Sequence, residues 1–179
     1  MNRKPCSENV IVRRAGEGDA DEVARIYNLH VDAGGVTFDI DRWSESDTMA
    51  RLHQPLPDGW YVAEDHRGVT GWASVRRFSE RFGYRFTCES AIYLDPVAYG
   101  QGVADALQLQ IHSHCGQHRI HHAVARVVTD NARSIAFHER YGYRVVGIQH
   151  EIGKIDGRWV DVTIMEKIFA GHEKGVRSQ

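Results

Sequence analysis

Apolar positions in this chain follow two rhythms. Short alternating or continuous runs suit strands, and longer stretches with a three-to-four-residue repeat suit helices. Val10 to Arg14 reads as a short strand, with Gly16-Glu17-Gly18 as the turn after it. Val23, Ile26, Tyr27 and Val31 then recur at helical intervals, so one face of this helix packs on a sheet. Asp19 stands at its N-cap with Glu22 at the capping-box spacing, and Gly34-Gly35 ends it. Thr37-Phe38 falls in the link to a second helix, capped by Ser44 or Ser46, anchored by Met49, Ala50 and Leu52, and closed by Pro55 and Pro57.

Trp60 to Glu64 and Val69 to Val75 flank the turn sequence Asp65-His66-Arg67-Gly68 and predict a hairpin. Arg76 to Arg85 is polar and contains Gly83, which predicts a loop before a strand from Phe86 to Leu94. Pro96 ends that strand, and Val103, Ala106, Leu107, Leu109, Gln110 and Ile111 begin a helix that runs to about Gln117. Ala123 to Val128 reads as a strand, and Asn131 to Tyr141 as a helix ended by Gly142. Asp156-Gly157 joins two last strands, Arg144 to Ile155 and Arg158 to Phe169, and Gly171 to Gln179 reads as a frayed tail, as do residues 1–8. The element order is strand, two helices, three strands, helix, strand, helix, two strands. It predicts an α/β (α+β) fold: one mixed sheet of about seven strands with helices on both faces.

Composition narrows the class without naming it. At 179 residues with no linker-like break, the chain is expected to form one domain, 1–179. Its 42% hydrophobic and 26% charged content suits a folded, water-surrounded protein, and a net charge of -2 argues against a nucleic-acid binder built on a basic face. The first residues lack the apolar core of a signal peptide and no run reaches membrane-spanning length, so a cytoplasmic location is expected. Cys6, Cys88 and Cys115 lack paired spacing and read as reduced thiols. Strand alternation puts Cys88 on the opposite face from Glu89, where it serves as a buried structural thiol.

The chemistry concentrates between Glu89 and Ala104. A strand ends at Pro96, and Gly100 and Gly102 let the backbone approach a ligand. The helix that starts there aims unpaired amides and the positive end of its dipole into the turn, a setting for phosphate or pyrophosphate. There is no Gly-Lys-Ser/Thr, and Asp105 occupies the third glycine of a dinucleotide pattern. Tyr99-x-x-Gly102-x-Ala104 resembles the Arg/Gln-x-x-Gly-x-Gly/Ala signature of the GCN5-related N-acetyltransferases (GNAT), with Tyr99 in place of the usual basic or amide residue. The resemblance sharpens over several ordered blocks between about residues 11 and 168. Ile11 to Ala15 with Ile26-Tyr27-Asn28, Gly83 to Ser90, Asp130 to Glu139, and Asp156 to Asp161 are similar to the phosphinothricin and methionine sulfoximine acetyltransferase group.

That resemblance implies a GNAT-type sheet splayed at the cofactor site, acetyl-CoA as co-substrate with no metal, and transfer of acetyl to the amino group of a small amino-acid-like acceptor by direct attack in a ternary complex. It implies that Tyr99, Gly100, Gln101, Gly102, Val103 and Ala104 hold the pyrophosphate. The pantetheine arm would lie along Ile92, Tyr93 and Leu94 where parallel strands part near Leu94, a backbone amide polarising the thioester, and Asn131 would contact the cofactor besides capping its helix. Glu89 matches the position of the general base, acting directly or through one water. A water-exposed glutamate is a weak base, and aromatic neighbours such as Tyr84, Phe86 and Tyr93 would strengthen it by desolvation. His138, seven residues after Asn131, matches the place of a tyrosine thought to protonate the departing thiolate; it acts as that acid or only orders the site.

An acidic acceptor head needs a donor. Arg85 fits the matching block, with Arg76, Arg77 and Arg81 as rivals, while Phe38 and Trp72 are candidate pocket walls. Arg76-Arg77 stands where the group has smaller residues, which shifts the expected acceptor range. A homodimer is expected from the resemblance alone, with no nucleic-acid or membrane partner. His112, His114, Cys115, His118, His121 and His122 crowd one helix end, but no further acidic group accompanies them, so a solvated helix end is expected rather than zinc. Two other functions fit the same residues: acetylation of a different amine (amino acid, polyamine or peptide N-terminus), and a catalytically weak CoA-binding sensor.

Overall fold

The computed structural model describes residues 10–169; Cys6 and the tails expected at 1–8 and 171–179 lie outside that range. Seven strands form one sheet in the order β1-β2-β3-β4-β5-β7-β6. They are β1 Ile11–Arg14, β2 Gly59–Asp65, β3 Gly68–Arg77, β4 Thr87–Leu94, β5 His122–Val128, β6 Arg144–Ile155 and β7 Arg158–Ile168. The helices are α1 Ala20–Ala33, α2 Glu45–Leu52, α3 Val103–Gln117 and α4 Ala132–Arg140. Neighbouring strands are antiparallel except β4 and β5.

Period-two alternation divides the core between the two sheet faces. On β2, Trp60 and Val62 pack with Val23, Ile26 and Tyr27 of α1, whereas Tyr61 and Ala63 pack with Leu107, Ile111 and Cys115 of α3. Val23, Ile26, Leu107 and Ile111 are fully buried, each removing enough apolar surface from water to stabilise the fold by about 1.5–3 kcal/mol. Helices therefore cover both faces. The β6–β7 connection is a two-residue turn in which Asp156 (φ 51°) and Gly157 (φ 77°) are both left-handed, the geometry that favours Asp-Gly.

Two local expectations are corrected and one open alternative is decided. Asp19 does not cap α1 through its side chain; its carboxylate accepts from the Gly16 amide at 2.8 Å and from both terminal nitrogens of Arg13 at 2.7 and 2.8 Å, because a nearby guanidinium outcompetes a helix amide. Of the two serines before α2, Ser44 is the cap, accepting from Asp47 N. The loop expected from Arg76 begins later, since β3 continues through Arg77 in register with Cys88 of β4.

The feature that positions the site is a gap in the sheet. β4 and β5 pair only at Thr87–His122, Cys88–Ala123 and Glu89–Val124. They part directly after Glu89, well before Leu94. Each strand is still held on its outer edge, β4 by β3 as far as Leu94–Gly71 and β5 by β7 as far as Val128–Val162. Only the facing edges open, so backbone groups of Ser90 to Leu94 are left to line a cleft instead of a ladder.

Candidate functional site

The gap opens into a cleft of about 1920 Å³. A single small molecule fills ~300–1,000 Å³, so two ligands can lie here together. The turn from Tyr99 to Gly102 forms one end. Gly100 (φ 75°) and Gly102 (φ 81°) are left-handed, and a Cβ on Gly100 would meet nothing within 4 Å, so the backbone there is bare toward the cleft. Gly102 is the N-cap of the 15-residue α3, whose first-turn amides have no acceptor within the helix. Tyr99, Gly100, Gln101, Gly102 and Ala104 line the cleft, whereas the Val103 side chain is buried in the α3 core and only its amide belongs to the turn. Arg133 of α4 lays its guanidinium 4.3 Å over the Tyr99 ring. Asn131 caps α4 by accepting from Ser134 N at 3.1 Å and also lines the cleft.

Glu89 sits at the apex, on the last paired residue before the strands diverge. Its side chain is 18% exposed, and its surroundings are cationic rather than aromatic. Arg126, two residues beyond its partner Val124 and so on the same face, donates through Nε at 2.8 Å and Nη2 at 2.6 Å to the two carboxylate oxygens. Arg76 lies 3.9 Å away on the other side. Tyr84 and Phe86 pack outside the cleft, against Phe78 and Arg85. Cys88, on the opposite face, is buried against Cys115 with the sulfurs 3.9 Å apart.

Beyond the apex the cleft is walled by Tyr27, Trp43, Trp60, Trp72 and Tyr93. Trp72 stacks on Tyr93 at 4.7 Å and Trp43 on Tyr27 at 3.8 Å. Asp39 accepts from the Tyr27 hydroxyl at 2.7 Å and from Trp43 Nε1 at 3.0 Å. Burial pushes the Tyr27 and Tyr93 phenols above their ordinary range, so both stay protonated. His138 lines the floor, buried and edge-on to Tyr143, with Nδ1 donating to the Ser134 carbonyl at 2.8 Å. Burial lowers its pKa, so it is a neutral imidazole at pH 7.

Not every expected residue is brought here. Arg85 lies over the rings of Phe82 and Phe86, and with Arg77 and Arg81 it lines a separate small depression. Phe38 packs against Gly153 of β6, where a Cβ would come within 2.6 Å of its ring, and does not line the cleft. Of the rival arginines only Arg76 does, and Trp72 joins it as a wall. Sequence reasoning missed Arg126, although a charge inside the apolar run Val124 to Val128 is a visible signal; it also missed Arg133, Trp43 and Asp39. Among the described residues no three His, Cys, Asp or Glu side chains converge as metal ligands. In the histidine-rich end of α3, His114 is buried between the Tyr61 hydroxyl at 2.8 Å and the Pro57 carbonyl at 2.7 Å.

The family described as an acetyltransferase (GNAT) domain matches residues 12–164. The chain belongs to the GNAT acetyltransferases. A phosphinothricin N-acetyltransferase of Alcaligenes faecalis is 30% identical over 159 residues, covering 87% of this chain and 81% of that protein. An L-methionine sulfoximine/L-methionine sulfone acetyltransferase of Pseudomonas aeruginosa is 32% identical over 87% of this chain and 92% of its own. Among solved structures, a GNAT superfamily phosphinothricin acetyltransferase from Sinorhizobium meliloti in complex with acetyl-CoA superposes with a TM-score of 0.85 at 29% identity, covering 90% of this chain and 89% of that one. Membership makes this GNAT enzyme an acetyl-CoA-dependent N-acetyltransferase. The bare glycine turn, the open edge of β4 and the size of the cleft fit that co-substrate.

Proposed function

We propose that this enzyme acetylates the amino group of a small amino-acid-like acceptor of the phosphinothricin, methionine sulfoximine or methionine sulfone type, by direct attack in a ternary complex. The observation that carries the reading is Glu89 at the apex of the gap, a carboxylate at the one point where the opened edge of β4 meets the aromatic chamber. Named activities of the relatives point to the same acceptor class.

Bound acetyl-CoA supplies an activated thioester carbonyl. The turn from Tyr99 to Ala104 binds the pyrophosphate through backbone amides and the α3 dipole. Ile92, Tyr93 and Leu94 offer main-chain groups along the open edge to the pantetheine amides, and an amide there donates to the carbonyl oxygen as charge builds on it. Glu89 takes a proton from the acceptor's ammonium, directly or through one water, leaving the neutral amine to attack. Neutral His138 bonds back to the Ser134 carbonyl within α4 and packs edge-on against Tyr143, and a thiolate leaves readily without an acid. Asn131 keeps the start of α4 beside the cofactor. Phe38 and Arg85 reach the acceptor only if the chain moves to bring them in. A homodimer and a cytoplasmic location accompany the reading; exposed Val146, Ile148, Ile152 and Trp159 on the β6–β7 hairpin offer apolar surface for a second copy, and no helix among the described residues is long and apolar enough to cross a membrane.

Thiol release from acetyl-CoA with a panel of amines tests the reading, run with the unmodified enzyme and Glu89→Gln. Expected is turnover that strongly favours acceptors with an acidic head, and a fall of about 10²- to 10⁴-fold in kcat/KM for the variant. Full activity in the variant across pH would remove Glu89 as base, and acetyl-CoA binding without turnover on any amine would favour a sensor.

A further inference from the structure

At the apex of the cleft two guanidiniums face one carboxylate. Glu89 is held by both donors of the Arg126 fork and lies 3.9 Å from Arg76, which leaves an uncompensated positive charge where the acceptor must sit. Arg126 is 56% exposed while Glu89 is 18% exposed, so the arginine reaches in from the cleft and covers the carboxylate. Two of its nitrogens are engaged by Glu89, and a guanidinium carries five N–H donors in all. The arrangement also obstructs the base, because the fork occupies one lone pair on each carboxylate oxygen, so only the lone pairs turned away from Arg126 are left to take a proton.

We propose that Arg126 is the acceptor's anion contact and, through that contact, the gate on Glu89. In the free enzyme the fork rests on Glu89; a carboxylate or phosphinate on the acceptor, helped by Arg76, draws the fork onto itself and leaves Glu89 open to the acceptor's ammonium. An acceptor without the anion leaves the base covered. Discrimination for acidic acceptors therefore arises at the proton-transfer step as well as in binding. The inference rests on Glu89 as base and adds to it the group that controls its access.

The test compares L-methionine sulfone with its methyl ester, which differ in the anion, at about pH 6, where both amines are ammonium ions that need the base. The unmodified enzyme should prefer the acid by about 100-fold in kcat/KM. Arg126→Gln should lose about 10- to 100-fold on the acid, the scale of one charged hydrogen-bonding contact, while turnover of the ester rises. Arg126→Lys, which keeps the charge without the fork, should fall between, and covers the case in which the glutamine variant does not fold. Adding Glu89→Gln to Arg126→Gln should abolish the rise on the ester. Equal loss on acid and ester with unchanged acetyl-CoA affinity would overturn the anion contact, and unchanged ester turnover in Arg126→Gln would overturn the gate. If Glu89→Gln alone keeps full activity, the base assignment fails, and the acid-to-ester ratio still reports on Arg126 by itself.

Discussion

Tyr99 poses the sharpest question at the scale of single residues, because it puts a neutral ring where the GNAT signature has a basic or amide side chain. Arg133 answers it from another helix. Its guanidinium lies 4.3 Å above the Tyr99 ring, a cation–π contact that orients a long, exposed side chain toward the turn. A basic side chain thus stands beside the turn, supplied by α4 with Tyr99 as its platform. Arg133→Ala should raise KM for acetyl-CoA about tenfold, the worth of one arginine–phosphate contact, and leave kcat nearly unchanged. S-acetylpantetheine, which has no pyrophosphate, should be turned over equally by both enzymes. Equal KM values for acetyl-CoA would show that Arg133 only decorates the surface. Such substitutions are hard to read in a sequence, since position 99 announces a loss and nothing near it announces the gain 34 residues on.

Among the elements, the turn into α3 is where backbone shape matters most. Gly100 is left-handed and its missing Cβ would stand in open space, so Gly100→Ala meets no protein atom and costs only the strain of an L-residue there, about 1–2 kcal/mol. Any ligand seated on the turn would meet the added methyl. The expected outcome is a modest drop in urea stability with a disproportionate rise in KM for acetyl-CoA; a variant that loses stability and keeps its KM would mean the phosphates sit elsewhere. Most elements were legible because each carries local evidence: the Val23-Ile26-Tyr27-Val31 stripe of α1, the Asp156-Gly157 turn, the apolar run of β5. Errors arose where tertiary partners decide. Arg76 and Arg77 look like loop residues until β4 pairs with them, and Asp19 looks like a cap until Arg13 claims it. Glu89 is legible through the resemblance, which matches it to the base position, but its partner is not, because the meeting of Glu89 with Arg126 depends on the register of two parallel strands joined by a whole helix. Arg85 rests on block position and Phe38 on being an aromatic in a link, and neither carries information on where a loop side chain finally packs.

Across the whole molecule, several neutral histidines are built into the packing, and they set how the fold meets acid. His112, half-buried against Tyr141, Tyr143 and Phe169, is pushed down to about 4 by burial first and by the nearby Lys167 second. Burial likewise lowers His114 and His138, the former closed between Tyr61 and Pro57 and the latter beneath Tyr143. An unfolded histidine takes its proton near 6.5, so below that pH the unfolded chain binds more protons than the folded one, and stability falls with pH. The contribution is complete above about 6.5 and drains away as pH drops toward 4. Carboxylates lowered by partners act later: Asp19 beside Arg13, Glu166 beside His122, and Asp65, held at about 2 by Arg67, weaken the fold only once unfolded carboxylates begin to protonate near 4. Urea midpoints should therefore be flat from pH 8 to about 7, decline between about 6.5 and 4, and steepen below. His112→Gln keeps a neutral polar group beside Gln108 and should make the middle segment shallower, with His114 and His138 carrying the remaining slope, while sparing the acid end. A midpoint that stays level down to pH 4.5 in the unmodified protein would mean these histidines accept protons in place, and that the neutral packing assigned to α3 and α4 is wrong.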